Sequence, residues 1–276
     1  MDLEIRRHYV AEAVKLKLWY VKWLLHIGVN FEEAVQRHVD IYRMTSLYDG
    51  NKGHHPTRGW SDPLWRELRS RLKSIYDKYP GHPGLKSTSK LEEEGLAVLW
   101  PYLEKRIQMG AKIVPRKRPY GCFGYEYQGD YLHLHFSNAV APESPFHDMA
   151  SLAESLYKLL IDSQERRPEI LKVNMTSWLN TFLPFLTLFP PTWSNSAKPL
   201  GPDYGHGTWG QFINRRGDFH SRNAAFLRKT GQFPYVYSYC ECSINELKDY
   251  LEKNYIKAQN KSYSSLKIDP NDQKIV

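Results

Sequence analysis

The sequence predicts an α+β protein, with a helical N-terminal region followed by a mixed sheet on which helices pack. Three observations carry that reading. Apolar residues recur at helical spacing through residues 3–27 and 62–78. Short runs at 122–127, 131–137, 170–178 and 235–242 are rich in Tyr, Phe, Val and Cys, as strands are, and helix-like stretches separate them. The 276 residues are 41% hydrophobic and 25% charged, the balance of a globular chain long enough to bury a core.

Taken in order, residues 3–27 form a first helix with Gly28 as its stop. Asn30, three residues before Glu33, caps a second helix over about 31–46. Residues 47–60 are rich in Gly, His and Asp and read as loop. Ser61 caps a helix over 62–78 with Pro63 in its first turn. After a linker from Pro80 to Ser87, Ser89 and Glu92 open a segment to about Met109, which Pro101 should break or kink. Lys112 to Pro119 is a basic connector. Two strands follow, joined by the tight turn Gln128-Gly129-Asp130. A helix over 147–164, opened by Asp148, leads to the strand 170–178. The Pro-interrupted run 179–193 fits more than one state, and 194–217 is loop-like. Asp218 caps a helix ended by Gly231, a strand ends at Cys242, and Ser243 with Glu246 opens a last helix to about Tyr255. These elements divide the chain into a helical region 1–111, an α+β domain 112–257 and a mobile tail 258–276.

The net charge of +8 favours an anionic ligand or partner, and it equally serves solubility. Aromatics at 14%, with 8 Trp and 19 Tyr, predict a bulky core or a pocket of flat rings around a small-molecule substrate. Three cysteines in a chain of this size are not a disulfide framework. The N-terminus lacks the apolar core of a signal peptide, and the run Phe182 to Phe189 is far short of the ~20 residues of a membrane span. The expectation is therefore a cytoplasmic protein with no membrane partner.

Tyr131-Leu-His-Leu-His-Phe136 carries the strongest chemical signal. Side chains alternate along a strand, so His133 and His135 share a face. They can serve as acid and base near neutral pH, or simply donate structural hydrogen bonds. They can also hold zinc or iron with a third ligand such as His147, Asp148, His206 or His220. Cys240 and Cys242 could complete such a site, or be small buried hydrophobes. The glycines of Tyr204-Gly-His-Gly-Thr-Trp-Gly-Gln-Phe212 suit a lid carrying His206, Trp209 and Gln211, or a connector whose Trp209 and Phe212 plug into the core. Arg215-Arg216 and the Arg66/Arg69/Arg71/Lys73 run could grip phosphates, although Leu68 and Leu72 make that run the wet face of a helix.

The stretch Leu132-His-Leu-His-Phe136, a helix, then Ser177-Trp178-Leu179, Leu183-Pro184 and Ser194-Asn195 resembles the acyltransferase-like (GNAT-like) C-terminal domain of a bacterial family, over about 65 residues. The resemblance implies a GNAT-like sheet and acyl transfer from a coenzyme A thioester. Its pyrophosphate would be held by a strand end and the next helix's N-terminus. Where that family carries a glycine-bearing loop, this chain has Ala139 to Phe146 with Pro142, Glu143 and Pro145. The expected enzyme moves an acyl group to an amine or hydroxyl. His133 or His135 takes the proton, Asn138 or a main-chain N–H steadies the oxyanion, and Trp178, His206, Trp209 and Gln211 bind substrate. The alternatives are a metal-dependent enzyme built on His133 and His135, and a non-enzymatic nucleic-acid or partner-binding module.

Overall fold

The computed structural model describes residues 2–48, 62–83, 85–111 and 118–257, with backbone alone for 85–87, 111 and 202–206. Along the chain run α1 (Leu3–His26), α2 (Phe31–Glu33), α3 (Pro63–Lys78), α4 (Leu85–Ala111), β1 (Phe123–Gln128), β2 (Tyr131–Phe136), α5 (Met149–Arg166) and β3 (Lys172–Ser177). Then come α6 (Leu183–Leu186), α7 (Pro191–Asn195), β4 (Lys198–Pro199), α8 (Ser221–Thr230), β5 (Ser238–Ser243) and α9 (Ile244–Leu251). The fold is α+β with a five-stranded mixed sheet. Among the described residues no helix is long and apolar enough to cross a membrane.

The chain makes two compact units, residues 1–116 with 200–237, and residues 117–199 with 238–276. This corrects the expected boundaries, because 200–237 belongs with the helical region rather than with the sheet. Three contacts hold it there. Arg228 grips Glu92 with two bonds of 2.6 and 2.9 Å. Trp209 and Phe212 are buried in the helical core. Gly231 lies so close to Trp23 that a Cβ would sit 2.3 Å from the indole, and its φ of +68° also excludes most side chains.

Several helix ends differ from expectation. Asn30 does cap, its Oδ1 accepting from Glu33 N at 2.9 Å. The helix it opens is short. A π turn over Ala34–His38 follows, and Asp40 at φ 44° stops it. Asp62 caps α3 through Trp65 N, while Ser61 and the 47–60 loop lie largely outside the described residues, as do the basic connector and the tail. α4 begins before Ser89 and Glu92 and runs through Pro101, so the capping pair and the break are not realised; packing on α1 and α3 outweighs the one backbone bond a proline removes. α8 is capped by His220 rather than Asp218, which pairs with His8 at 2.6 Å. Arg69 is not on a wet face; it is buried and paired with Glu32.

The second unit has strand order β1-β2-β3-β5-β4. Gly129, at φ 63°, makes the β1–β2 turn. β2 and β3 are parallel and joined through α5; the other neighbours are antiparallel. Alternation sends Leu132, Leu134, Val173, Met175, Cys240 and Cys242 to one face, where Leu152, Leu156, Leu159, Ile244 and Leu247 of α5 and α9 cover them. The opposite face carries Glu126, Tyr131, His133, His135, Asn174, Tyr239 and Glu241. The ambiguous 179–193 run becomes a 3-10 turn at Trp178–Thr181, then α6 and α7. Buried Asn180 ties it to the sheet, donating to Met175 O at 2.9 Å and Ser238 O at 2.8 Å.

In the first unit Lys17 is fully buried on α1. Its Nζ donates to Val39 O and lies 4.0 Å from the centroid of the Trp209 ring. Burial pulls its pKa from 10.5 to about 7, against the opposing pull of Asp40. From about pH 7 to 10.5 the unfolded chain therefore holds a proton that the folded chain lacks, so stability rises with pH across that window. Urea unfolding at pH 7 and pH 9 should show the native protein gaining about 2 kcal/mol relative to Lys17→Met. An unchanged difference between the two proteins would mean that the amine does not lose its proton on burial.

Candidate active site on the polar face of the sheet

The site begins with the turn. Gln128 stands opposite Tyr131, which places Glu126 opposite His133 and Gly124 opposite His135. The parallel ladder then sets Asn174 beside His133, and the antiparallel one sets Glu241 beside Asn174. Four strands thus contribute one row: Glu126, His133, Asn174 and Glu241. His133 and His135 do share the face, with ring centroids 4.9 Å apart. His135 Nε2 is 3.5 Å from Glu126 Oε1, and both side chains are about half exposed, 49% and 47%. One ligand atom from each of Glu126, His133 and His135 lies within 4.8 Å of the others.

A chain of hydrogen bonds fixes His133. Its Nδ1–H donates to Asn174 Oδ1 at 2.6 Å. The Asn174 amide donates onward to the Tyr239 hydroxyl at 3.4 Å, and Tyr239 donates to Glu241 Oε2 at 2.6 Å. Burial, then the Glu241 carboxylate, hold Tyr239 protonated well above the ordinary phenol range. The hydrogen bond from Tyr239 holds Glu241 below the usual carboxylate range. Lys172 donates to Tyr131 at 3.2 Å, and Tyr131 bonds Glu241 as well. With an ionised acceptor at its far end, each donor in the chain has one direction to point. In the neutral ring, His133 then carries its proton on Nδ1 and its lone pair on Nε2.

The other residues expected at the site go elsewhere. Asn138 is spent on its own loop, donating to Glu143 O at 2.8 Å and accepting from Val140 N at 3.0 Å. Trp178 opens the turn after β3 and joins an aromatic run through Phe182 and Phe146 to Phe136. Trp209 is core in the first unit, with Nε1 donating to His38 O at 3.0 Å. Gln211, also buried there, takes Tyr235 N at 3.0 Å and donates to Thr208 O at 2.9 Å. The glycine-bearing segment is a 3-10 helix over Pro202–Phe212 that plugs Trp209 and Phe212 inward, in place of a lid. The His206 side chain lies outside the described residues. Asp148 and His220 are helix caps, so neither is a third ligand. Cys240 and Cys242 point to the core face, away from the histidines; burial raises both thiols, Cys240 to about 11.

Glu126 escaped the sequence reading, although the turn held the signal: a two-residue loop at Gly129-Asp130 counts back to Glu126 opposite His133. Asn174, Tyr239 and Glu241 carried none, since their partners are set by long-range registers. Comparison of the chain with family models, with characterised proteins and with solved structures returns no match.

The relay makes one spectroscopic prediction. At pH 8, nitrogen-15 NMR should find His133 as the Nδ1–H tautomer, and Asn174→Leu should move the proton substantially to Nε2. A native ring already protonated on Nε2 would contradict the relay.

Proposed function

We propose that the second unit is an acyltransferase-like enzyme of GNAT-like architecture, transferring an acyl group from a thioester to an amine or hydroxyl of a small acceptor. One observation carries the reading. The parallel ladder between β2 and β3 joins only Tyr131, Leu132 and His133 to Lys172, Val173 and Asn174, while β2 continues to Phe136 and β3 to Ser177. Past His133 the two strands no longer bond each other. Main-chain groups along a parted parallel pair need partners, and an amide-bearing thioester arm can supply them as an added strand does. This is the sheet that the resemblance of the Leu132 to Asn195 stretch implies. His133 sits at the vertex, where the reactive carbonyl would lie.

His133 Nε2, its lone pair set by the Asn174–Tyr239–Glu241 relay, takes the proton from the attacking amine or hydroxyl. The tetrahedral intermediate collapses with loss of thiolate, which recovers that proton. A main-chain N–H in the parted segment steadies the oxyanion, the role Asn138 was expected to fill.

The N-terminus of α5 is a poor pyrophosphate cradle. Asp148 already accepts from Ser151 N at 2.9 Å and from Ser151 Oγ at 2.6 Å, and Glu143 lies in the preceding loop. A carboxylate at the positive end of a helix dipole competes directly with phosphate. The donor is therefore held by its thioester arm between the strands. Three buried free cysteines suit a reducing cytoplasm.

The test compares acetyl-coenzyme A with acetyl-pantetheine, which lacks the nucleotide and pyrophosphate. Both should raise the melting temperature similarly and support acylation of an amine-rich acceptor mixture. His133→Ala should lower turnover on either donor about 10²- to 10⁴-fold with little change in donor binding. Failure of both thioesters to bind or react would remove the proposal. A strict requirement for the pyrophosphate would remove its account of donor anchoring.

A further inference from the structure

Beside His133, the face that carries the relay presents two groups, Glu126 and His135, to which the transfer step assigns no part. We propose that Glu126, His133 and His135 form a divalent-metal site suited to zinc, with a coordination position open to solvent. The inference does not rest on the transfer reaction.

The donor set comes first. Two imidazoles and one carboxylate suit zinc or ferrous iron and are poor for calcium or magnesium, which take oxygen ligands. The geometry is second. The three ligand atoms lie within 4.8 Å of one another. Around zinc, with bonds of ~2.0–2.1 Å, tetrahedral ligands sit ~3.4 Å apart. Small side-chain rotations close that difference. Glu126 and His135 are about half exposed, and residue 124 opposite His135 is a glycine with no side chain to block the ring. His133 is the fixed member.

The surroundings of that fixed member are the third observation, and they are independent of the cluster itself. A metal-binding imidazole needs its other nitrogen protonated and held by an acceptor, which orients the ring and raises its basicity. His133 Nδ1–H is held by Asn174, and Asn174 is held through Tyr239 by the ionised Glu241. The ring of this half-buried histidine is thereby fixed through three successive side chains. Three protein ligands leave a fourth tetrahedral position for water or substrate. Because the metal takes the Nε2 lone pair that acyl transfer uses as its base, zinc should inhibit transfer rather than promote it.

The experiment is calorimetric titration of the untagged, chelator-treated full chain with zinc chloride. One zinc per chain is expected. Glu126→Gln should weaken it at least tenfold and the Glu126→Gln/His135→Asn pair should abolish it. Tyr239→Phe, which touches no ligand, should weaken it about tenfold by releasing the relay. The Glu126 and His135 changes are at the surface, and melting temperatures in excess chelator should match the native protein. Cobalt(II) in place of zinc should give visible bands without thiolate charge transfer, as a site of nitrogen and oxygen requires. The proposal is overturned if the native chain takes up no zinc, or if the double variant binds it as tightly. Loss of zinc binding in the double variant supports this site, and thioester binding by the native chain is read separately, so that either reading can fail without the other.

Discussion

Strand register is the constraint on which the rest of the second unit depends. Side chains alternate with a period of two, so a slip of one residue in β2 would bury His133 and His135 and expose Leu132 and Leu134. Burial of the leucines under α5 and α9 forbids the slip, because each leucine left in water costs about 1.5–3 kcal/mol. The hydrophobic face thus sets the polar one. The row from Glu126 to Glu241 follows from apolar packing on the opposite side of the sheet.

That dependence explains what the sequence could and could not disclose. The α+β class, the β1–β2 hairpin, the face shared by His133 and His135, the Asp148 cap and the Gly231 stop all follow from local rules, and each of them is present. Local rules also sufficed for Glu126, had the turn been counted through. They could not supply Asn174 or Glu241. The first is brought to His133 by a crossover through α5, and the second by a strand formed after a long excursion into the other unit. Helix starts went wrong where two caps competed within a few residues, as at Asp218 and His220. Pro101 shows tertiary packing overriding a local penalty.

The composition of the 202–212 segment allows both a lid and a core plug, and the structure realises the plug. Glycines beside Trp and Gln suit a mobile flap, and they equally allow aromatic side chains to be set tightly into a core. The outcome turned on polar bonds that burial demands. Trp209 Nε1 finds His38 O, and Gln211 finds main-chain partners at Thr208 and Tyr235. Lys17, with its Nζ over the face of Trp209 and bonded to Val39 O, belongs to the same core.

The chain leaves the sheet at Pro199 and rejoins it at Ser238, and these two residues face each other across the β4–β5 ladder. The intervening 38-residue excursion closes on itself, Leu200 N bonding Tyr237 O at 2.8 Å. Its ends are a hairpin's width apart. The sheet unit can therefore be excised as one continuous polypeptide by replacing the whole loop with a short Asn-Gly turn. The helical unit has no such shortcut, since residues 117–199 stand between its two pieces.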